Sequence, residues 1–312
     1  MTGSPPRVLE GKVAVVTGAF RGMCLTTLER SLRCSYHLPL AKSTLRSHIH
    51  AGIGAAITKH LAAKGAHVLG VYTSDSTASA AKQMTEELTS KHGVKIVPVK
   101  ADLRSPEESS KTIAEAAKSH FDAIDIIVNN AGVGGDYALG EVPVSEFHRI
   151  YTVNVLAPIM VTQALLPLLP HDRSGRVVNI SSVASSMGFK THTLYGGTKA
   201  ALEAMTRTWA RELSERATVN AINPGPVEGD MYWAAGEAFW KQIEPFQLAT
   251  PLSAVTESDE PELVELANSK MAGRRPAYWD EIAAVVGMVC GPDSAWTTGS
   301  VICANGGMRF SV

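Results

Sequence analysis

Cysteine is scarce in this chain of 312 residues: there are four, Cys24, Cys34, Cys290 and Cys303, with no Cys-x-x-Cys pair and no regular spacing. That excludes a disulfide framework and fits a reducing, cytoplasmic setting. An excess of charge is lacking too, since 29 Lys and Arg face 30 Asp and Glu and no Lys/Arg run exceeds two. Neither nucleic acid nor an anionic membrane surface is therefore an expected partner. A leader is also missing from the reading: residues 1–10 hold Pro5, Pro6, Arg7 and Glu10 without an apolar stretch, and read as a short loose tail. The longest uncharged run, Ile150 to Pro170, has spanning length but contains Asn154, Thr162, Gln163, Pro158 and Pro167. It reads as a loop followed by a buried helix.

What the chain does have is alternation. Lys12 to Thr17 is a β-branched run ending at Gly18, and helical spacing begins near Gly54 and Ala55. Ala66 to Tyr72 reads as a second strand, followed by a helix over 77–92, a strand over 94–100 and a helix over 105–120. A fourth strand starts at Ile124 and ends in Asn129-Asn130-Ala131-Gly132. This order predicts a parallel sheet covered on both faces by helices. Later segments add a helix over 155–169, strands over 176–181 and 218–222, helices over 195–212 and 279–289, and a last strand beyond Gly299. The fold class is α/β, a single doubly wound domain over residues 11–312.

Chemistry concentrates between Asn179 and Lys199. Tyr195 and Lys199 are four residues apart, which on a helix places them on one face. A phenol titrates near a pKa of about 10, and an ammonium at ~4 Å with an effective dielectric of ~20 favours phenolate by roughly 4 kcal/mol. That predicts a tyrosine poised near neutrality as an acid–base catalyst. Ser182 stands thirteen residues earlier, at the end of the strand run Val177 to Ile180, where its hydroxyl can face the phenol. Taken alone, Tyr-x-x-x-Lys is also what an exposed helix produces by chance.

Ser182 followed by Tyr195-x-x-x-Lys199 resembles the active site of the short-chain dehydrogenase/reductase family, and more specifically fungal ketoreductases. The resemblance implies a Rossmann-type fold, an NADP(H) cofactor and hydride transfer between nicotinamide and a ketone or secondary alcohol. By the same resemblance Tyr195 protonates the carbonyl oxygen, Ser182 binds it, Lys199 lowers the tyrosine pKa and holds the nicotinamide ribose, and Asn154 helps relay the proton. It places Gly18, Arg21, Ile53 and Gly54 around the pyrophosphate, Asp102 at the adenine, Asn130, Ala131 and Gly132 at the crevice, and Val227 at the carboxamide. Where the family commonly has threonine the chain has Gly229, so one hydroxyl contact to the cofactor is missing. Tyr72, Thr73 and Ser74 stand where a carboxylate would select NAD, and with Arg21 they favour the 2′-phosphate of NADP; Asp75 is the counter-indication.

Two regions depart from the pattern. About thirty residues, Met23 to Gly52, separate Arg21 from the helix that should follow the glycine turn. We read them as translated intron, because Gly22-Met-Cys24 can be encoded across a GTATGT donor and His50-Ala-Gly52 across a CAG acceptor. The rival readings are a regulatory flap and a metal site built from His48, His50 and two cysteines. Residues 226–275 read as a substrate lid, with Tyr232, Trp233, Phe239, Trp240 and Phe246 as an aromatic lining or as a subunit contact. The lining reading suggests a medium-sized ketone such as a β-ketoacyl, polyketide-derived or steroid-like carbonyl. Surplus apolar surface on the helices near 155–169 and 195–212 predicts a homodimer or homotetramer. The competing class is a non-catalytic dinucleotide-binding or scaffold protein, disabled by the insert. No metal is expected.

Overall fold

All five residues of Val13–Thr17 (β1) are buried, as a parallel strand covered on both faces requires. Their side chains alternate: Ala14 and Val16 join one apolar cluster, Val13 and Val15 the other. The computed structural model describes residues 7–20 and 52–310. In chain order the further elements are α1 (Ile53–Ala63), β2 (His67–Tyr72), α2 (Asp75–His92), β3 (Ile96–Lys100), α3 (Pro106–His120) and β4 (Ile126–Asn129). They are followed by α4 (Val144–Tyr151), α5 (Ala157–Leu165), β5 (Gly175–Ile180), α6 (Thr193–Glu212) and β6 (Ala217–Pro224). The last are α7 (Asp230–Leu248), α8 (Pro261–Lys270), α9 (Trp279–Cys290) and β7 (Val301–Ala304).

The seven strands form one sheet in the order β3-β2-β1-β4-β5-β6-β7, parallel throughout. The order reverses between β1 and β4, which opens a crevice at the carboxyl ends of those strands. One face is packed by α1, α2 and α9 through Ile57, Leu61, Met84, Leu88, Ile282 and Val286. The other is packed by α3, α5 and α6 through Ile113, Val161, Leu165 and Ala210.

Three expectations are corrected. The chain from Val144 to Leu165 is helical rather than a loop leading into a helix, and a π-helical turn at Thr152–Leu156 joins α4 to α5. Pro158 falls in the first turn of α5, where a missing N–H costs little. Residues 7–10 are tied down rather than loose: Leu9 is buried and its N–H donates to the Lys64 carbonyl at 2.9 Å. The aromatic segment builds a small core of its own, in which Tyr232 and Trp240 pack with Ile243 and Met271. Helix α7 kinks at Gly236, whose φ of 71° is open to glycine.

Candidate active site

Ser182 follows β5 and caps the short 3-10 turn Val183–Ser185, its hydroxyl oxygen accepting from the Ala184 N–H at 3.2 Å. Two turns of chain later α6 begins, and Tyr195 and Lys199 both lie on its buried side. Glycine at 196 lets the helix approach this turn: a Cβ there would stand 2.7 Å from the Ala184 carbonyl oxygen. The Ser182 hydroxyl is close enough to the Tyr195 phenol to favour its ionised form slightly. The structure thus brings Ser182, Tyr195 and Lys199 together, as the spacing predicted.

The electrostatics differ from the expectation. Lys199 is 2% exposed and its ammonium donates to the Ile180 carbonyl at 2.8 Å, standing 5.6 Å from the centre of the Tyr195 ring. Burial pushes the Tyr195 phenol up to about 12, against a smaller lowering by Ser182. Burial lowers the Lys199 ammonium to about 8. In the chain by itself, lost hydration outweighs the attraction between the two groups, so near pH 7 the tyrosine is a phenol and not a poised phenolate.

Asn154 sits in the π-helical turn, fully buried. Its side chain accepts from the Val133 N–H at 2.8 Å and donates to the Val133 carbonyl at 2.9 Å and the Thr198 hydroxyl at 3.1 Å. These bonds fix the strand-end loop to α6. Its side-chain polar atoms are thus engaged in bracing that loop against α6.

The other predicted positions surround the crevice. Gly18 has φ of 69°, and a Cβ on Gly54 would lie 2.1 Å from the Gly18 carbonyl oxygen, so the glycine turn and the start of α1 touch. Gly52 gives α1 no side-chain cap, Ile53 opens the helix, and its first turn has no acidic residue. The N–H groups of a helix start beside a glycine turn suit an anionic pyrophosphate. Asn130 donates to the Thr17 carbonyl at 2.8 Å, and the Thr17 hydroxyl accepts from the N–H groups of Asn130 and Ala131, both at 3.0 Å. Ala131 and Gly132 thus begin the loop beside β1. Asp102 binds Arg104 and accepts from its backbone N–H at 3.0 Å, a local turn of the kind short carboxylates favour. Val227 lies in an isolated bridge with Ala277, whose bonds run through Pro226 and Glu228. Gly229 has φ of 134°, and a Cβ there would lie 3.1 Å from Trp279 Nε1, which gives a physical reason for glycine at this position.

At the cofactor-selecting edge, Tyr72 meets Phe20 edge-on at 6.0 Å and pairs in register with Lys100. The Lys100 ammonium holds the Asp75 carboxylate at 2.7 Å, while Ser74 bonds Ser76 at 2.7 Å. Arg21 and the insert from Met23 to Ala51 lie outside the described residues.

Two features went unread in the sequence. His192 Nε2 stands 3.2 Å from the Asp136 carboxylate, its ring lies 5.8 Å from that of Tyr195, and Phe189 and Phe239 flank it. Burial lowers its pKa, with Asp136 opposing, and its Nδ1 is buried with no hydrogen-bond partner among the described residues. The second is Glu203, one turn beyond Lys199, whose Oε1 accepts from Ser181, Ser185 and Asn223. Neither contact has a signal in local spacing, because Asp136 and Asn223 are remote in sequence from their partners.

The family model for short chain dehydrogenases matches residues 49–238. The match excludes β1, although β1 sits in the middle of the sheet. The chain is 46% identical to an L-xylulose reductase of Aspergillus niger, over 98% of this chain and 99% of that protein. It is 44% identical to an L-xylo-3-hexulose reductase of Hypocrea jecorina, again over 98% and 99%. Among solved structures, a blue fluorescent protein from a metagenomic library in complex with NADPH superimposes with a TM-score of 0.73 at 30% identity, covering 97% of this chain and 99% of that one. With its sheet order, crevice and Ser-Tyr-Lys cluster, the chain belongs to the short-chain dehydrogenase/reductase family of nicotinamide-dependent oxidoreductases.

Proposed function

We propose that the chain is an NADP(H)-dependent reductase of a small polyhydroxy ketone, with Tyr195 as the proton donor. The observation that carries this reading is a buried phenol on α6 beside the Ser182 turn at the carboxyl end of β5, with the buried Lys199 ammonium 5.6 Å from its ring centre. A bound dihydronicotinamide supplies hydride to a carbonyl carbon. The residues do the rest: Ser182 donates to the carbonyl oxygen and Tyr195 passes it a proton. Lys199 presents an ammonium 5.6 Å from the centre of the phenol ring, at the position expected to hold the nicotinamide ribose. A phenol near 12 is a competent acid for a forming alkoxide, which is far more basic, so reduction needs no tyrosine activation beforehand.

Two features support a polyhydroxy substrate. The relatives at 46% and 44% identity are named as reductases of keto sugars. The unpartnered Nδ1 of His192 is an acceptor close to Tyr195, suited to a substrate hydroxyl. A second reading, an apolar ketone, is favoured by the rings of Phe189 and Phe239 beside the same histidine. NADP(H) is favoured because Lys100 compensates the Asp75 charge that would oppose a 2′-phosphate.

The test is a panel of open-chain ketoses and apolar ketones, followed by NADPH and NADH absorbance. L-Xylulose or a similar ketose should be consumed with NADPH in preference to NADH. Turnover confined to apolar ketones would favour the second reading, and no cofactor binding would remove the enzyme reading. Val144, Phe147 and Leu156 are exposed on and beside α4, and we assign this apolar face to a contact between copies of the chain. A monomer in light scattering would refute that assignment.

A further inference from the structure

One carboxylate oxygen gathers the strand ends that carry Ser182. Glu203 Oε1 accepts from the Ser181 hydroxyl at 2.7 Å, the Ser185 hydroxyl at 2.8 Å and the Asn223 amide at 2.8 Å. Ser181 immediately follows β5, Ser185 closes the turn that Ser182 caps, Asn223 belongs to β6, and Glu203 itself belongs to α6. The Asn223 amide also donates to the Ser182 carbonyl at 3.0 Å. Ser182 is thereby held on both sides: through its preceding residue, through its own carbonyl, and through the turn that follows.

Hydrogen bonds to an ionised oxygen are about twice as strong as neutral ones, and only a carboxylate takes three donors on one oxygen without a competing N–H of its own. Glu203 does not touch the reacting groups, and its chain position fixes the distance between the Ser182 turn and the helix bearing Tyr195 and Lys199. We infer that Glu203 is a positioning residue, setting the Ser182 hydroxyl against Tyr195 for the reaction. The inference rests on the reading of Ser182 as the group that binds the carbonyl oxygen.

A double-mutant cycle in the full chain separates this role from simple stability. Glu203→Ala should lower kcat roughly tenfold, the scale of a small misplacement at a reacting centre. NADPH affinity, read by fluorescence titration, should stay within about threefold, because none of the Glu203 partners, Ser181, Ser185 and Asn223, is a residue assigned to the cofactor. In a Ser182→Ala background the same change should cost less than about twofold, since the group it positions is gone. Glu203→Gln keeps an acceptor oxygen but loses the charge and brings a competing NH2, so its kcat should fall between those of Glu203→Ala and the parent chain, and a kcat no better than that of Glu203→Ala would overturn the hydrogen-bonding role. Equal losses from Glu203→Ala in both backgrounds would overturn the inference while leaving Ser182 in its role. An active Ser182→Ala chain would instead defeat the underlying reading. If Glu203→Ala does not fold, Ser185→Ala removes one donor and keeps the carboxylate. It should give a smaller kcat loss, again silent beside Ser182→Ala, and additivity there would also refute the positioning role.

Discussion

Lys199 points its ammonium at the carbonyl of Ile180, 2.8 Å away, rather than spending it on the Tyr195 phenol of its own helix. The lysine therefore ties α6 to the end of β5 while keeping a buried ammonium 5.6 Å from the Tyr195 ring centre. That arrangement strains hydration more than it rewards attraction, which is why both groups are shifted by burial.

The first prediction follows from that burial. Folded Lys199 titrates near 8 and its ordinary value is 10.5, so between those values the unfolded chain holds more protons. Stability from this group therefore rises with pH across that window, and its burial cost is fully present below it. Urea unfolding of the cofactor-free chain and of Lys199→Met should be compared at pH about 7.5 and about 9.5, where linkage predicts a relative gain for the parent of about 2 kcal/mol at the higher pH. A difference that does not move with pH would show that the ammonium is not held as described. Tyr195 opposes this only above its ordinary value of 10, where a pKa of about 12 makes stability fall as pH rises.

The His192–Asp136 pair yields a prediction about specificity. His192→Phe keeps a ring between Phe189 and Phe239 but removes the Nδ1 acceptor. For L-xylulose, KM should rise roughly tenfold, the equivalent of about 1.4 kcal/mol for one lost hydrogen bond. A simple ketone without further hydroxyls should be unaffected. Equal changes for both substrates would mean that the histidine shapes the pocket without reading hydroxyl groups.

The insert can be tested by removal. The described chain on either side is already closed: Phe20 is 1% exposed, Ala19 N–H donates to the Val71 carbonyl at 3.0 Å, and Gly54 touches Gly18. A chain lacking residues 23–52 should fold, bind NADPH at least as tightly, and gain up to about 2 kcal/mol from the shorter loop closure. Loss of NADPH binding would favour the flap reading over translated intron. Sequencing the transcript checks the same point, since a message that always carries these codons contradicts the intron.

Much of this was legible in the chain because its signals are local. β-Branched runs such as 13–17 and 177–180 are buried on both sides, and the four-residue step from Tyr195 to Lys199 needs only a helix to bring the pair to one face. The helix over 155–169 was legible, but its continuity back to Val144 was not, because no local signal announces the π-helical turn Thr152–Leu156 that joins α4 to α5. The tyrosine pKa was misjudged because spacing reports distance and says nothing of hydration lost on burial. Glu203 and His192 find their partners across strand ends and loops, and no periodicity announces such contacts. Their roles come from topology.

Tyr195→Phe tests the central claim most directly, because it removes one hydroxyl and keeps the ring. With NADPH and L-xylulose, kcat should fall by about 10²–10⁴, the usual contribution of a positioned acid. NADPH binding, measured by fluorescence titration, should stay within severalfold of the parent chain. Turnover retained by the phenylalanine variant would contradict the assignment of Tyr195 as the proton donor.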